Sequence, residues 1–238
     1  MKRNTLMLST LSLSACQNLT EGEAYRKAYY RERATTYEQS SKTNLEDELK
    51  GDLNFGIVII DMQEPFLAKI TAAESSEMIA EQKKSLQLAK EQNIPVIVFE
   101  YEGNGETIPT LQKYIEEVPR HIYFTKSDDD GFAFQEEKDQ NDSPSAWLKE
   151  NKVNALYFEG VNGSACVLAS ANSAYMDNFT VATSNQVIAT GDQSTEEGYC
   201  PEEQCNEAKS SLLFFLQNGI LDPNNQPFLD YLAKNKEQ

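Results

Sequence analysis

Short apolar runs rich in β-branched and aromatic residues alternate with longer amphipathic segments from about Leu53 to about Ala233. This alternation restricts the fold more than any other feature of the chain. The spacing predicts strands over 55–61, 94–101, 121–125, 153–160 and 179–184, with a sixth over 186–190. It predicts helices over 73–93, 107–117, 143–152, 164–177 and 201–217. Ser143 followed by Pro144 marks one helix start, a capping hydroxyl ahead of a proline in the first turn. Strands that alternate with helices build βαβ units, so the expected class is α/β with a parallel sheet. The runs are continuously apolar, as in strands covered on both faces. Ligands of such folds gather at the carboxyl ends of the strands.

The chain has 238 residues, enough for one sizeable domain, and 39% of them are hydrophobic. Its net charge of -17 argues against nucleic acid, which requires basic stripes, and against an anionic membrane face. The plain reading of the acid excess is solubility. No apolar run approaches the roughly 20 residues needed to cross a bilayer.

The amino terminus carries a different signal. Lys2 and Arg3 precede a short apolar stretch, and Leu13-Ser14-Ala15-Cys16 follows. A basic start, a short apolar region and small residues before a cut are the marks of export. Small residues just ahead of a cysteine resemble the lipobox of bacterial lipoproteins. That resemblance implies a signal peptide over 1–15, a lipid on Cys16 and a membrane anchor in the cell envelope. Gln17 after the cysteine favours the outer membrane. Residues 16–52 are polar and charged without a sustained apolar face, as in a tether or arm, and 53–238 form the domain. Cys200 and Cys205 either close a small disulfide loop in an oxidising compartment or form a metal pair. No further cysteine or nearby histidine completes a zinc site with them.

Three residues close predicted strands: Asp61, Lys126 and Cys166. Cys166 lies in Leu156-Tyr-Phe-Glu-Gly-Val-Asn-Gly-Ser-Ala-Cys-Val167, where an apolar run ends in a glycine-rich turn and a helix should start. The field of a helix N-terminus favours thiolate over thiol. The chain has a single histidine, His121, at the start of a predicted strand, which excludes multi-imidazole zinc sites and leaves no serine triad in sight. No nucleophile elbow, Walker loop or dinucleotide-binding turn occurs, and no metal or cofactor is expected. A base for Cys166 must then be a carboxylate or a lysine. A carboxylate can take the thiol proton and return it to a leaving amine. A neighbouring ammonium keeps that carboxylate ionised, and backbone N–H groups at a helix start can hold an oxyanion. The trio suffices for acyl transfer or C–N hydrolysis on a small molecule.

Three segments together resemble the isochorismatase-like cysteine hydrolases, a superfamily that includes nicotinamidases, N-carbamoylsarcosine amidohydrolases and ureidoacrylate amidohydrolases. They are Ile57-Val-Ile-Ile-Asp61-Met-Gln-Glu-Pro-Phe66, Lys126-Ser-Asp-Asp-Asp130-Gly131-Phe132, and Gly160-Val161 with Cys166 six residues after the glycine. The resemblance runs from about Leu53 to about Leu216. It implies a three-layer α/β sandwich with a mostly parallel six-stranded sheet in Rossmann-like order. It implies Asp61 as base, Lys126 as its partner and Cys166 as nucleophile. It also implies a non-prolyl cis peptide near Val161 and Asn162, and oxyanion donors from the N–H groups of Ala165 and Cys166. Phe66 and Phe132 stand as candidates for the pocket wall, with plain core aromatics the competing reading. A homo-oligomer would be in keeping with the family.

The chain also departs from the pattern. After the second strand it reads Phe99-Glu-Tyr-Glu-Gly-Asn-Gly-Glu-Thr107, without the histidine of the nicotinamidase metal motif. It has Gly163-Ser164 where the family often has Thr-Asp. True isochorismatases lack the cysteine, so Cys166 points to amide or ureido C–N bonds and a thioester intermediate. The aspartates 128–130, beside Lys126, disfavour anionic substrates; as a cluster they read as a solvated loop. The competing function is a catalytically inactive, lipid-anchored binding protein on the same fold.

Overall fold

A computed structural model describes residues 53–133, 143–190, 214–215, 218–222 and 224–234. Cys16, Cys200, Cys205, the tether and most of the predicted helix over 201–217 lie outside the described residues.

Six strands form one sheet in which every pairing is parallel. They are β1 (Phe55–Ile60), β2 (Val96–Tyr101), β3 (His121–Lys126), β4 (Ala155–Gly160), β5 (Thr180–Ser184) and β6 (Ile220–Asp222). Their order across the sheet is β3-β2-β1-β4-β5-β6. Every residue of β1 and β4 is buried, which explains why those segments read as unbroken apolar runs. The helices are α1 (Glu64–Leu67), α2 (Ala72–Gln92), α3 (Pro109–Ile115), α4 (Pro144–Glu150), α5 (Leu168–Met176) and α6 (Gln226–Lys234). Thr71 caps α2 through its hydroxyl and Asn93 ends it in a left-handed conformation. Ser143 caps α4 ahead of Pro144, as its sequence predicts.

One strand expectation is corrected. Residues 186–190 do not form a strand. The segment makes a turn and a single bridge between Ile188 and Gly160. The sixth strand is Ile220–Asp222, too short for a periodic pattern to reveal. Segment 186–190 has another use: Gly160 N–H donates to Val187, Ala189 N–H to Gly160, and Gly163 N–H to Ala189. It thereby ties down the turn that carries Cys166.

The sheet reverses its winding between β1 and β4. Chain order runs outward through β2 and β3 on one side and through β4, β5 and β6 on the other. Such a switch point opens a crevice at the carboxyl ends of the two strands. Asp61 follows one of them, and the turn bearing Cys166 follows the other.

Candidate active site

The β1–β4 junction is tight by necessity. Gly160 pairs with Ile60 and has φ of 128°, and a Cβ there would lie 2.1 Å from the Ile60 carbonyl oxygen. Only glycine lets the two backbones approach while the chain leaves the sheet. The next peptide bond, Val161–Asn162, is cis, as the resemblance implies. Residues Gly163–Val167 then form one π-helical turn that runs into α5. Cys166 sits inside that turn. The Ala165 N–H, one of the two expected oxyanion donors, is bonded to the Asn162 carbonyl at 3.1 Å.

Asp61 has φ of 51°, a left-handed conformation that aspartate tolerates better than most residues. It is fully buried and its Oδ2 is 2.8 Å from Lys126 Nζ. Lys126 ends β3, two strands from β1. Its side chain crosses the end of β2, and the ammonium lies 4.4 Å from the centroid of the Tyr101 ring. It also donates to the Asp128 carbonyl at 3.1 Å. Lys126 is buried, as is Cys166. The three predicted residues thus come together at one edge of the sheet. His121 lies at the opposite end of β3, with Nδ1 2.7 Å from the Val118 carbonyl, and takes no part.

Charge balance in the site differs from the expectation of a resting thiolate. Burial pushes the Cys166 thiol well above its ordinary value, and the Asp61 carboxylate adds to the rise; Lys126 only partly opposes them. Burial likewise raises the Asp61 carboxyl, against the pull of Lys126. Two carboxylates, those of Asp61 and Asp129, act on the sulfur and raise the thiol further. Cys166 Sγ is 3.5 Å from Asp129 Oδ1. These influences favour the neutral thiol of Cys166.

Several contributors escaped the sequence reading. Gln63, fully buried, bonds the Tyr101 N–H at 2.8 Å, the Tyr101 carbonyl at 3.0 Å and the Gly105 carbonyl at 2.6 Å. It clamps the loop after β2 to the end of β1. The aspartate run is a solvated loop only in part: Asp128 is exposed, but Asp129 faces the thiol, and Asp130 bonds the Ser173 hydroxyl and the Phe132 N–H. Gly131 N–H donates to Ser170 at 2.9 Å, locking this turn onto α5. A polar residue two positions after Asp61 was the only hint of Gln63. Phe66 stacks near Tyr101 at 5.9 Å, beside the site. Phe132, half-buried, packs on Phe99 and Phe158. Among the described residues no three His, Cys, Asp or Glu side chains converge to hold a metal ion.

The isochorismatase domain family matches residues 56–197. The chain belongs to that family. Its members are hydrolases of the isochorismatase-like superfamily. Solved structures share the fold at low identity. A putative isochorismatase from Burkholderia xenovorans superposes with a TM-score of 0.62 and 14% identity, covering 76% of this chain and 88% of that one. MAR1 ribonuclease from Caenorhabditis elegans gives 0.57 and 18%, over 82% and 85%. A nicotinamidase from Staphylococcus aureus gives 0.55 and 15%, over 71% and 99%. No curated protein matches by sequence.

Proposed function

We propose that this protein is a cysteine-dependent hydrolase of a small amide, ureide or related C–N substrate, working through Asp61, Lys126 and Cys166. The observation that carries the reading is the buried Lys126–Asp61 pair, 2.8 Å apart, beside a buried thiol at the sheet's switch point. A buried ion pair is a poor source of stability, so its placement at a crevice favours a chemical use.

The steps follow from the resting state. Cys166 Sγ attacks the carbonyl carbon while Asp61 takes the thiol proton, so no free thiolate accumulates. The S–C bond forms, the C–N bond breaks, and Asp61 returns the proton to the departing nitrogen. Water then adds to the thioester with Asp61 again as base. The S–C bond breaks, and the proton returns to sulfur. Lys126 keeps Asp61 ionised early in each half-reaction and offsets the charge gathering beside it. Backbone N–H groups of the Cys166 turn stabilise the oxyanion. The Ala165 N–H joins them only if it exchanges its bond to Asn162 for the substrate oxygen.

The reading places the enzyme in the bacterial cell envelope, tethered by a lipid on Cys16, more readily at the outer membrane than the inner. Its support is the Lys2, Arg3 and Leu13-Ser14-Ala15-Cys16 pattern, and membrane fractionation tests it.

The catalytic test is incubation with a panel of small primary amides and ureides, reading ammonia release and the acid-quenched intact mass. Ammonia together with an acyl adduct on Cys166, both absent in Cys166→Ala, supports the mechanism. Folded protein that gives neither would overturn it and leave a fold kept for binding.

A further inference from the structure

Three consecutive aspartates follow Ser127, and the turn they form consumes only two of their carboxylates. Asp128 Oδ1 accepts the Asp130 N–H at 3.4 Å. Asp130 accepts the Phe132 N–H at 2.8 Å and the Ser173 hydroxyl. Asp129 contributes to the turn through its main-chain carbonyl, which receives Lys126 Nζ at 3.5 Å and the Ser170 hydroxyl at 3.4 Å. Its half-buried carboxylate takes no part in the turn and instead accepts the Cys166 thiol, with Oδ1 3.5 Å from Sγ. Among the described residues no lysine or arginine pairs with that carboxylate, and the nearby Lys126 ammonium is held by Asp61.

A carboxylate beside a nucleophilic sulfur hinders the nucleophile, because it repels the thiolate that the reaction must approach. No structural task of the turn requires it, since the neighbouring aspartates carry those bonds. Among the described residues, Asp61 is met only by the Lys126 ammonium and the Cys166 thiol, and no other N–H or O–H donor reaches its oxygens. The sulfur is thus flanked, among the described residues, by two carboxylates and by one ammonium already in use. A positively charged group placed there would satisfy Asp129 and ease ionisation of the thiol at once. A negatively charged group would meet unrelieved repulsion.

We propose that Asp129 is a specificity-determining residue that selects, among small C–N substrates, those bearing an ammonium or amidinium group beside the scissile bond. The inference rests on the hydrolase reading above, because it needs Cys166 to be the atom that meets the substrate. It goes beyond that reading by assigning the substrate's charge and the side chain that reads it.

The test needs no substrate. Full-length protein is treated with 2-aminoethyl, 2-hydroxyethyl and 2-sulfonatoethyl methanethiosulfonate, which share one chemistry and differ in charge. Modification of Cys166 is followed by peptide mass spectrometry at about pH 8, where an ordinary thiol is partly ionised. Each rate is divided by that of the same reagent with free cysteine. Any change in thiol pKa alters all three rates alike and cancels in the ratio of cationic to anionic reagent. The expected ratio in the native protein is roughly tenfold or more above unity, from one nearby charge partly screened by solvent. In Asp129→Asn, which keeps the shape and removes the charge, it falls by about fivefold or more. Asp128→Asn removes an equal charge from the same turn, away from the sulfur, and moves the ratio much less. An unchanged ratio in Asp129→Asn, or equal effects of the two substitutions, would overturn the inference and leave the hydrolase reading intact. Folded protein whose Cys166 reacts with none of the three reagents would overturn both.

Discussion

Glu159 offers a direct measurement of how this fold handles charge. It lies on β4 with no exposed surface, and among the described residues no cation pairs with it. Burial drives its carboxyl well above the ordinary range, Glu81 adds to the rise, and the Ser85 hydroxyl offsets only part of it. The folded protein therefore favours a proton on Glu159 that the unfolded chain releases above the ordinary value of 4.5. Because the folded pKa is the higher one, the contribution to stability is complete below the unfolded pKa and is lost as pH rises. The loss runs at about 1.4 kcal/mol per pH unit until the folded pKa is reached. Glu159→Gln is a neutral copy of the protonated side chain and removes this linkage. Between pH 5 and pH 7 its stability relative to native protein should therefore improve, by up to about 1.4 kcal/mol for each pH unit below the folded pKa. For a domain of this size 1.4 kcal/mol is a shift of roughly 3–6 °C in the gap between the two melting temperatures. Asp61 and Asp130, also raised by burial, are common to both proteins and cancel in the difference. The assay is urea unfolding of both proteins at pH 5, 6 and 7. Parallel stability curves would refute the claim that Glu159 is buried as an acid.

Three further outcomes follow from the site. Lys126→Met strands Asp61 in a buried position without its cation, and should cost about 3–5 kcal/mol in urea unfolding while abolishing turnover. Native-like stability would mean that the pair is not buried as described. Gly160→Ala sets a Cβ against the Ile60 carbonyl at a backbone angle that favours glycine. It should destabilise by at least about 3 kcal/mol, with a substantially lower melting temperature. Asp61→Asn removes the charge that does most to hold the thiol protonated, so Cys166 alkylation should shift to lower pH while ammonia release is lost. An unchanged alkylation profile would show that Asp61 does not act on the sulfur.

What the sequence by itself determined is the class of fold and which polar residues gather at one edge of the sheet. Continuous apolar runs such as 57–60 can be covered on both faces only in a parallel sheet with helices above and below. Asp61, Lys126 and Cys166 each close such a run, and parallel strands bring their ends to one edge. The cis bond at Val161–Asn162 came from resemblance, not from any local physics of Val or Asn. The tertiary structure decided what no window of sequence contains. A three-residue strand at 220–222 has too few residues for a period, and segment 186–190, equally apolar, instead closes the end of β4 through bonds to Gly160 and Gly163. Gln63 looks like any polar loop residue until the loop after β2 folds over it. The aspartates at 128–130 look alike in sequence and differ in space: two hold a turn and one faces the sulfur. The protonation of Cys166 likewise depends on how much water is excluded and which carboxylates lie nearby. Burial and through-space charge are properties of the packed chain, so the members of the candidate site were legible in advance and the environment of the Cys166 thiol was not.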